Sequence, residues 1–126
     1  MSIVKRVVSI SDTDCTKALY FTSVLKFVQE AFEGLLREKY QPVQRMFLEE
    51  KLSMPIVVAS AEFFAPIYAG DVLEIHLDVE CFNTSFQVKG EVFHLNELKA
   101  SARIKHVCID LTSGLGIKSK ELFHDL

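Results

Sequence analysis

The chain has 126 residues, of which 49% are hydrophobic and 25% charged, so it can bury the core of one domain and should not be disordered. Its formal net charge is −3 and no run of basic residues occurs, which argues against nucleic acid as a partner. No apolar run approaches the roughly 18 residues that a membrane-spanning helix needs, and the charged opening segment does not resemble a signal peptide. Three cysteines without C-x-x-C spacing predict neither a disulfide framework nor a zinc site, and favour a reducing cytoplasm.

The first third of the chain contains one strand-like and one helix-like pattern. Residues 3–10, IVKRVVSI, are β-branched and loosely alternating, which predicts a strand. Residues 19–39 carry apolar side chains at the 3.6-residue period of a helix, and Phe21 and Phe27 widen the apolar stripe. A stripe this wide predicts a helix that is enclosed by other structure.

After Pro55 the pattern changes from helical to alternating. The segment that begins at Pro42, PVQRMFLEEKL, could form one short helix. Strands are then predicted over residues 56–65, 71–82, 85–94 and 99–110. The C-terminal piece KSKELFHDL is expected to be helical or frayed.

These elements predict an α+β fold in which an antiparallel β-sheet wraps around one long central α-helix. We expect residues 1–126 to form a single domain, because no linker, repeat or low-complexity segment divides them. The edge strands of such a sheet need covering, and edge-to-edge pairing with a second copy is one way to achieve it.

Two carboxylates, Asp12 and Asp14, lie where the first strand gives way to the helix, in the segment SISDTDCTKALYF. An aspartate at a helix start is commonly an N-cap, which contributes about 0.5–2 kcal/mol. A carboxylate beside the free N–H groups of a helix N-terminus can instead serve as a nucleophile or general base. The local sequence leaves both interpretations open.

Three stretches of the chain resemble one family, the hotdog-fold acyl-CoA thioesterases of the 4-hydroxybenzoyl-CoA thioesterase type. SDTDCTKALYFTSVLKFVQEAFEGLL is similar to the family's D-x-D-x-x-G…Y segment leading into the central helix. MPIVVASAEFFAPIYAGDVLEI is similar to its P-[IV]-V…P-x-x-x-G-D strand pair, and ARIKHVCID to its penultimate strand. The spacing between the three also fits, so the resemblance covers nearly the whole chain.

The resemblance implies that Asp14 is the catalytic aspartate, with helix N–H groups binding the thioester oxygen, while Asp12 is expected to support the loop. Thr16 and Lys17 stand where the family usually has Gly, and Phe21 stands where many relatives carry His. Their side chains could narrow the pocket, or Lys17 could add positive charge near an oxyanion or a phosphate.

The resemblance also implies a set of substrate-binding positions, namely Tyr20, Phe21, Ser53, Met54, Pro55, Lys89, Arg103 and Lys105. The acyl pocket would be lined by Tyr20 and Phe21 at the helix start and by residues 53–55. For these residues, ordinary core packing is the alternative. The basic residues would meet the phosphates of coenzyme A. Solvated charge on a strand is the alternative for these.

The resulting hypothesis is hydrolysis of an acyl-CoA thioester, with an aromatic acyl group as one option. An acyl-carrier-protein thioesterase of lipid or polyketide synthesis is one alternative, and a non-catalytic acyl-CoA-binding protein is another. No cofactor is expected, and no metal, because the histidines do not cluster in the sequence. We expect self-association as a homodimer or homotetramer.

Overall fold

The computed structural model describes residues 2–14, 16, 18–39 and 51–123. Its elements in chain order are β1 (Ser2–Val7), a 3-10 turn (Ile10–Asp12), α1 (Phe21–Lys39), β2 (Leu52–Ser53), β3 (Ile56–Phe63), β4 (Val72–Cys81), β5 (Ser85–His94), β6 (Glu97–Val107), β7 (Ile109–Asp110) and α2 (Ser119–Phe123). Among these residues, no helix combines the length and apolarity needed to cross a membrane.

The five longer strands form one antiparallel sheet in the order β1-β4-β5-β6-β3. Alternate residues of the three central strands are buried on the face that α1 covers: Leu73, Ile75, Leu77, Phe86, Val88, Val92, Ala100, Ala102 and Ile104. The intervening residues of β4 and β5 are mostly polar and lie on the opposite face, as expected for a sheet with one buried side. We call this opposite side the outer face.

The long helix lies close to the sheet because a glycine faces it. An ideal Cβ added to Gly90 on β5 would lie 2.4 Å from Cγ2 of Val28 and 2.9 Å from its Cγ1. Only a residue without a side chain lets the two elements approach this closely. The stripe that includes Val24, Phe27 and Val28 is completely buried as a result.

Strand β3 forms one edge of the sheet and is unusually apolar for an edge. Seven of its eight residues are exposed. Ile56, Val57, Val58 and Phe63 each expose about half of their surface, between 46% and 54%. An exposed apolar edge strand is a template for pairing with another chain, so this edge of the isolated chain needs to be covered.

The structure confirms the predicted α+β fold and most of its elements, and corrects some boundaries. The first strand ends at Val7 rather than residue 10, because the 3-10 turn intervenes. The last long strand ends at Val107, since the Cys108 N–H turns to the carbonyl of Thr84. The short pair β2–β7 was not predicted, because two-residue strands carry no periodic signal. The helix expected from Pro42 lies mainly outside the described residues, and the C-terminal helix is confirmed over Ser119–Phe123.

One expected core residue is exposed. Phe21 is 72% exposed, whereas Phe27 is fully buried. The two positions are six residues apart, which is about one and two-thirds turns, so they point to different sides of the helix. The expectation that both widen the buried face was therefore wrong for Phe21.

Candidate active site

The loop that carries Asp14 is held at its base by Asp12. The Asp12 carboxylate accepts hydrogen bonds from the N–H and hydroxyl of Ser9 and lies 3.2 Å from a guanidinium nitrogen of Arg6. Its backbone carbonyl accepts from the N–H of Tyr20 and the hydroxyl of Ser23. Burial acts to raise the pKa of Asp12, but these hydrogen bonds and Arg6 outweigh it and lower the pKa. Asp12 thus joins both ends of the loop, as expected of a supporting residue.

Asp14 lies in that loop with its carboxylate in a local turn. Oδ1 accepts hydrogen bonds from the hydroxyl of Thr16 at 2.5 Å and from its N–H at 2.8 Å. The Asp14 N–H donates to the carbonyl of Ala18, which closes the loop back toward the helix. The hydroxyl and then the N–H of Thr16 lower the pKa of Asp14. The carboxylate is therefore ionised at neutral pH, as a nucleophile or general base requires.

The helix that follows begins with backbone N–H donors that have no partner among the described residues. Tyr20 immediately precedes α1, and its carbonyl accepts from the N–H of Ser23. Within the described part of the chain, the N–H groups of Phe21 and Thr22 have no hydrogen-bond partner, as is usual for a first helical turn. These donors and the positive end of the helix dipole suit a developing oxyanion.

A first cavity adjoins this loop. It has a volume of about 330 Å³ and is lined by Ala18, Leu19, Phe63, Phe64, Ala65, Pro66 and Ile67. Phe63 brings the end of β3 to this cavity, and the Leu19 N–H donates to the carbonyl of Ile67 in the connection between β3 and β4. We call it the loop cavity; it places an apolar surface next to the segment that carries Asp14.

A second cavity lies at the other end of β3, between α1 and the sheet. Its volume is about 280 Å³. Apolar walls come from Phe32, Leu36, Met54 and Ile56, and polar groups from Gln29, Glu33 and His106. We call it the helix cavity. Met54, predicted from the sequence, lines it; Ser53 lies in β2 and exposed Pro55 directly precedes β3.

The two cavities are separate within one chain. Phe32 follows Phe21 by eleven residues, which corresponds to about 16 Å along an α-helix. Tyr20 and Phe21, predicted to line the acyl pocket, are 46% and 72% exposed at the loop end of the helix. The structure therefore does not bring them together with Met54 in a single chain.

The three predicted cations lie on the outer face of the sheet, not on the helix side. Lys89 on β5 and Arg103 on β6 are directly paired across the strands. Lys105 shares their face, and its Nζ lies 5.1 Å from the ring centroid of Phe82. Within one chain the sheet therefore separates all three from the helix cavity.

Sequence reasoning missed two features beside the predicted sites. A third cavity of about 340 Å³ is lined by Phe82, Asn83, Lys118 and Lys120, together with Cys81. Its two lysines belong to a C-terminal segment that has no periodic signal. The hydrogen bond from the hydroxyl of Thr16 to Asp14 was also missed, although an Asp side chain commonly accepts a bond from the backbone two residues on. Lys17 lies outside the described residues.

No group of three or more His, Cys, Asp or Glu side chains that could hold a metal is found in the described ranges.

A long helix packed by one face against an antiparallel sheet, preceded by a loop with an ionised aspartate, is the arrangement expected of a hotdog thioesterase. Residues 8–123 match the family model of the Thioesterase-like superfamily, and the chain belongs to that family. The resemblance noted in the sequence is confirmed. The protein is accordingly a thioester hydrolase.

Individual relatives agree with this assignment. The chain is 33% identical over 114 residues to a 1,4-dihydroxy-2-naphthoyl-CoA hydrolase of Gloeothece citriformis, covering 87% of this chain and 80% of the relative. It is similar to the crystal structure of a 1,4-dihydroxy-2-naphthoyl-CoA thioesterase from Synechocystis, with a TM-score of 0.87, 28% identity and coverage of 98% and 96%. A gentisyl-coenzyme A thioesterase structure gives a TM-score of 0.76 at 25% identity, with coverage of 85% and 88%.

Proposed function

We propose that this protein hydrolyses an aromatic acyl-CoA thioester and that Asp14 carries the reaction. The supporting observation is the loop geometry: an ionised carboxylate, held by Thr16, precedes a helix whose first N–H groups have no partner among the described residues. The relatives named above act on dihydroxynaphthoyl and gentisyl thioesters of coenzyme A, and both acyl groups are hydroxylated aromatics.

The chemistry can follow two routes from Asp14. As a nucleophile, the carboxylate attacks the thioester carbonyl, the C–S bond breaks, the CoA thiolate takes a proton from water, and water then hydrolyses the mixed anhydride. As a general base, the carboxylate removes a proton from water, and the resulting hydroxide attacks the carbonyl directly. The tetrahedral intermediate then collapses with cleavage of the C–S bond, and the departing CoA thiolate takes the proton held by Asp14. We assign the reacting oxygen to Oδ2, because Oδ1 carries both bonds from Thr16. In each route the N–H groups of Phe21 and Thr22 would stabilise the oxyanion.

A second copy of the chain would complete this site. Two β3 strands paired antiparallel about their common midpoint would place Ile56 of one chain beside the partner's Phe63. The helix cavity of one chain, which Ile56 lines, would then meet the loop cavity of the other, which Phe63 lines. The paired edges would also cover the exposed apolar residues of β3. We therefore propose a homodimer, with a homotetramer as its further assembly.

The phosphates of coenzyme A need cations, which the chain offers outside the two cavities. Lys89, Arg103 and Lys105 on the outer face remain the first proposal. The cavity at Phe82 with Lys118 and Lys120 is the second, since an exposed aromatic ring and two ammonium groups suit a nucleotide. The described cysteines, Cys81 and Cys108, are free thiols, which suits our proposed cytoplasmic location.

The substitution Asp14→Asn tests the proposal. Its matched control is Asp110→Asn, because Asp110 makes the same kind of turn, accepting bonds from the N–H of Thr112 and the hydroxyl of Ser113. Thiol release from 1,4-dihydroxy-2-naphthoyl-CoA should fall about a hundredfold or more in Asp14→Asn and less than twofold in the control. Equal activity in both variants would remove Asp14 from the mechanism.

Two alternatives give different results in the same assay. A non-catalytic acyl-CoA-binding protein would bind the thioester without releasing thiol, even at wild-type Asp14. An acyl-carrier-protein thioesterase would release thiol faster from the acylated carrier than from the CoA thioester. An acyl-carrier protein is acidic, so the rate at which the acylated carrier is hydrolysed should also fall steeply with added salt.

A further inference from the structure

His106 occupies a position on β6 where an apolar residue would be expected. Its neighbours at alternate positions, Ala102 and Ile104, are buried against the helix, and His106 is itself only 5% exposed. Its imidazole stacks on Phe86, with centroids 4.9 Å apart and planes 9° from parallel, and lies 5.7 Å from the ring of Phe32. A polar ring has thus been placed within an aromatic cluster.

The hydrogen bond of His106 determines which nitrogen carries its proton. Nδ1 lies 2.9 Å from the backbone carbonyl of Met54. A carbonyl oxygen only accepts, so Nδ1 donates, and in the neutral ring Nε2 is left as an acceptor. Nε2 is buried and has no hydrogen-bond partner within the described residues. Burial lowers the pKa of the imidazole, and the bond to Met54 only partly opposes this, so the neutral form is favoured.

The imidazole forms part of the wall of the helix cavity. The other walls include Phe32, Leu36 and Ile56, so a ligand there would be held mainly by apolar contact. An apolar cavity of about 150 Å³ accommodates benzene, and the helix cavity, at about 280 Å³, has room for a fused two-ring group. The side chain of His106 thus borders the cavity. Its Nε2 is itself covered, so a ligand hydroxyl reaches this atom only when the cavity wall adjusts on binding.

We propose that His106 is a specificity residue, whose Nε2 accepts a hydrogen bond from a ring hydroxyl of the acyl group bound in the helix cavity. The proposal rests on the proposed function, because it requires the helix cavity to hold the acyl group. It goes further by selecting hydroxylated aromatic acyl groups over unsubstituted and aliphatic ones.

The chemistry of a neutral acceptor supports this selection. A hydroxyl donor would satisfy Nε2, whereas a purely hydrocarbon acyl group would leave it buried and unpaired. A carboxylate in place of that hydroxyl would set an anion against the lone pair of Nε2 and would be rejected. Sites built to bond a substrate hydroxyl discriminate strongly against analogues that lack it, because the protein group then loses its partner.

Two substrates and two variants test the proposal. The substrates are 1,4-dihydroxy-2-naphthoyl-CoA and 2-naphthoyl-CoA, and the variants are His106→Phe and, as a matched control, His76→Phe on the outer face. Wild-type kcat/KM should favour the hydroxylated substrate by about tenfold or more. His106→Phe should lose that preference by slowing the hydroxylated substrate alone, and His76→Phe should keep it.

The outcomes separate the two proposals. If wild type hydrolyses both substrates equally well, or if His106→Phe slows both by the same factor, the histidine is structural and the inference is overturned while the thioesterase function stands. If wild type hydrolyses neither, the proposed function is overturned and the inference with it.

A second measurement avoids any dependence on the variant's folding. The ¹⁵N resonance of Nε2 in the wild-type protein should move when 1,4-dihydroxy-2-naphthoate is added, and should stay unchanged with 2-naphthoate. Equal shifts with both acids, or no shift with either at concentrations where both bind, would also overturn the inference.

Discussion

The contact between Gly90 and α1 gives the sharpest prediction for the fold. The substitution Gly90→Ala adds a methyl group that would lie 2.4 Å and 2.9 Å from the two γ carbons of Val28. Non-bonded carbons prefer about 3.5–4.0 Å. Val28 cannot rotate away, because both of its γ carbons are involved and a helical valine has one strongly favoured rotamer. We therefore expect destabilisation near the upper end of the overpacking range, about 3 kcal/mol.

The assay is urea unfolding at fixed protein concentration, applied to a double-mutant cycle that combines Gly90→Ala with Val28→Ala. Removing the two γ carbons of fully buried Val28 should cost about 2–3 kcal/mol by itself. In the double variant the methyl group introduced by Gly90→Ala fills part of the vacated space, so the total loss should be clearly less than the sum of the two single losses. Gly34→Ala is the matched contrast: nothing lies within 4 Å of its added Cβ, and replacing a helical glycine should stabilise by about 0.5–1 kcal/mol.

Two results would refute this reasoning. A loss below about 0.5 kcal/mol for Gly90→Ala would show that α1 moves away from the sheet at little cost, against the usual rigidity of a close-packed core. Additive losses in the cycle would show that the cost of Gly90→Ala does not arise from contact with Val28.

The remaining predictions concern pH. Because the hydroxyl of Thr16 lowers the pKa of Asp14, Thr16→Val should move the acid limb of the kcat/KM profile to higher pH; an unmoved limb would mean that Asp14 is not the titrating group. Burial lowers the pKa of His106, so as the pH falls the imidazole is protonated in the unfolded state before it is protonated in the folded state. The free energy of unfolding should therefore be unaffected by His106 above about pH 6.5 and should fall below that pH by up to about 1.4 kcal/mol per pH unit. His106→Phe should lack this pH dependence in urea unfolding between about pH 5 and pH 8. Glu33 on α1 lines the same cavity and pairs with Arg37, and because the substitution leaves both residues in place, any contribution of theirs is common to the two proteins.

Periodicity predicted the framework of the fold because burial on one face repeats along each element. The alternation of Leu73, Ile75 and Leu77 with polar neighbours was sufficient to place β4, and the same rule gave both ends of β5 correctly. The same periodicity marks His106, because this residue lies at one of the inward-facing positions of β6. A histidine in an apolar phase is a detectable anomaly, but its unpaired nitrogen depends on the carbonyl of Met54, which comes from a distant part of the chain.

The site was less predictable, because its parts are joined by contacts that have no period. The family resemblance selected Asp14, but the loop closure through Asp12 and Tyr20 appears only in the structure. The cations were placed by analogy with relatives. The alternation of side chains along a strand would by itself have placed Lys89 and Arg103 on the outer face, because the residues next to each of them face inward.

The position of Thr16 changes the meaning of the sequence's main departure from its family. A glycine near the catalytic aspartate is needed either for a left-handed backbone or for close approach of a substrate. Thr16 is not among the described non-glycine residues with positive φ, which are Lys51, Leu95 and Asn96. The turn at Thr16 therefore forms without glycine, and the side chain supplies a hydroxyl bond to Asp14 that glycine cannot. At position 16 the departure therefore adds a hydroxyl that lowers the pKa of Asp14, while Lys17, the other residue of the departure, lies outside the described residues.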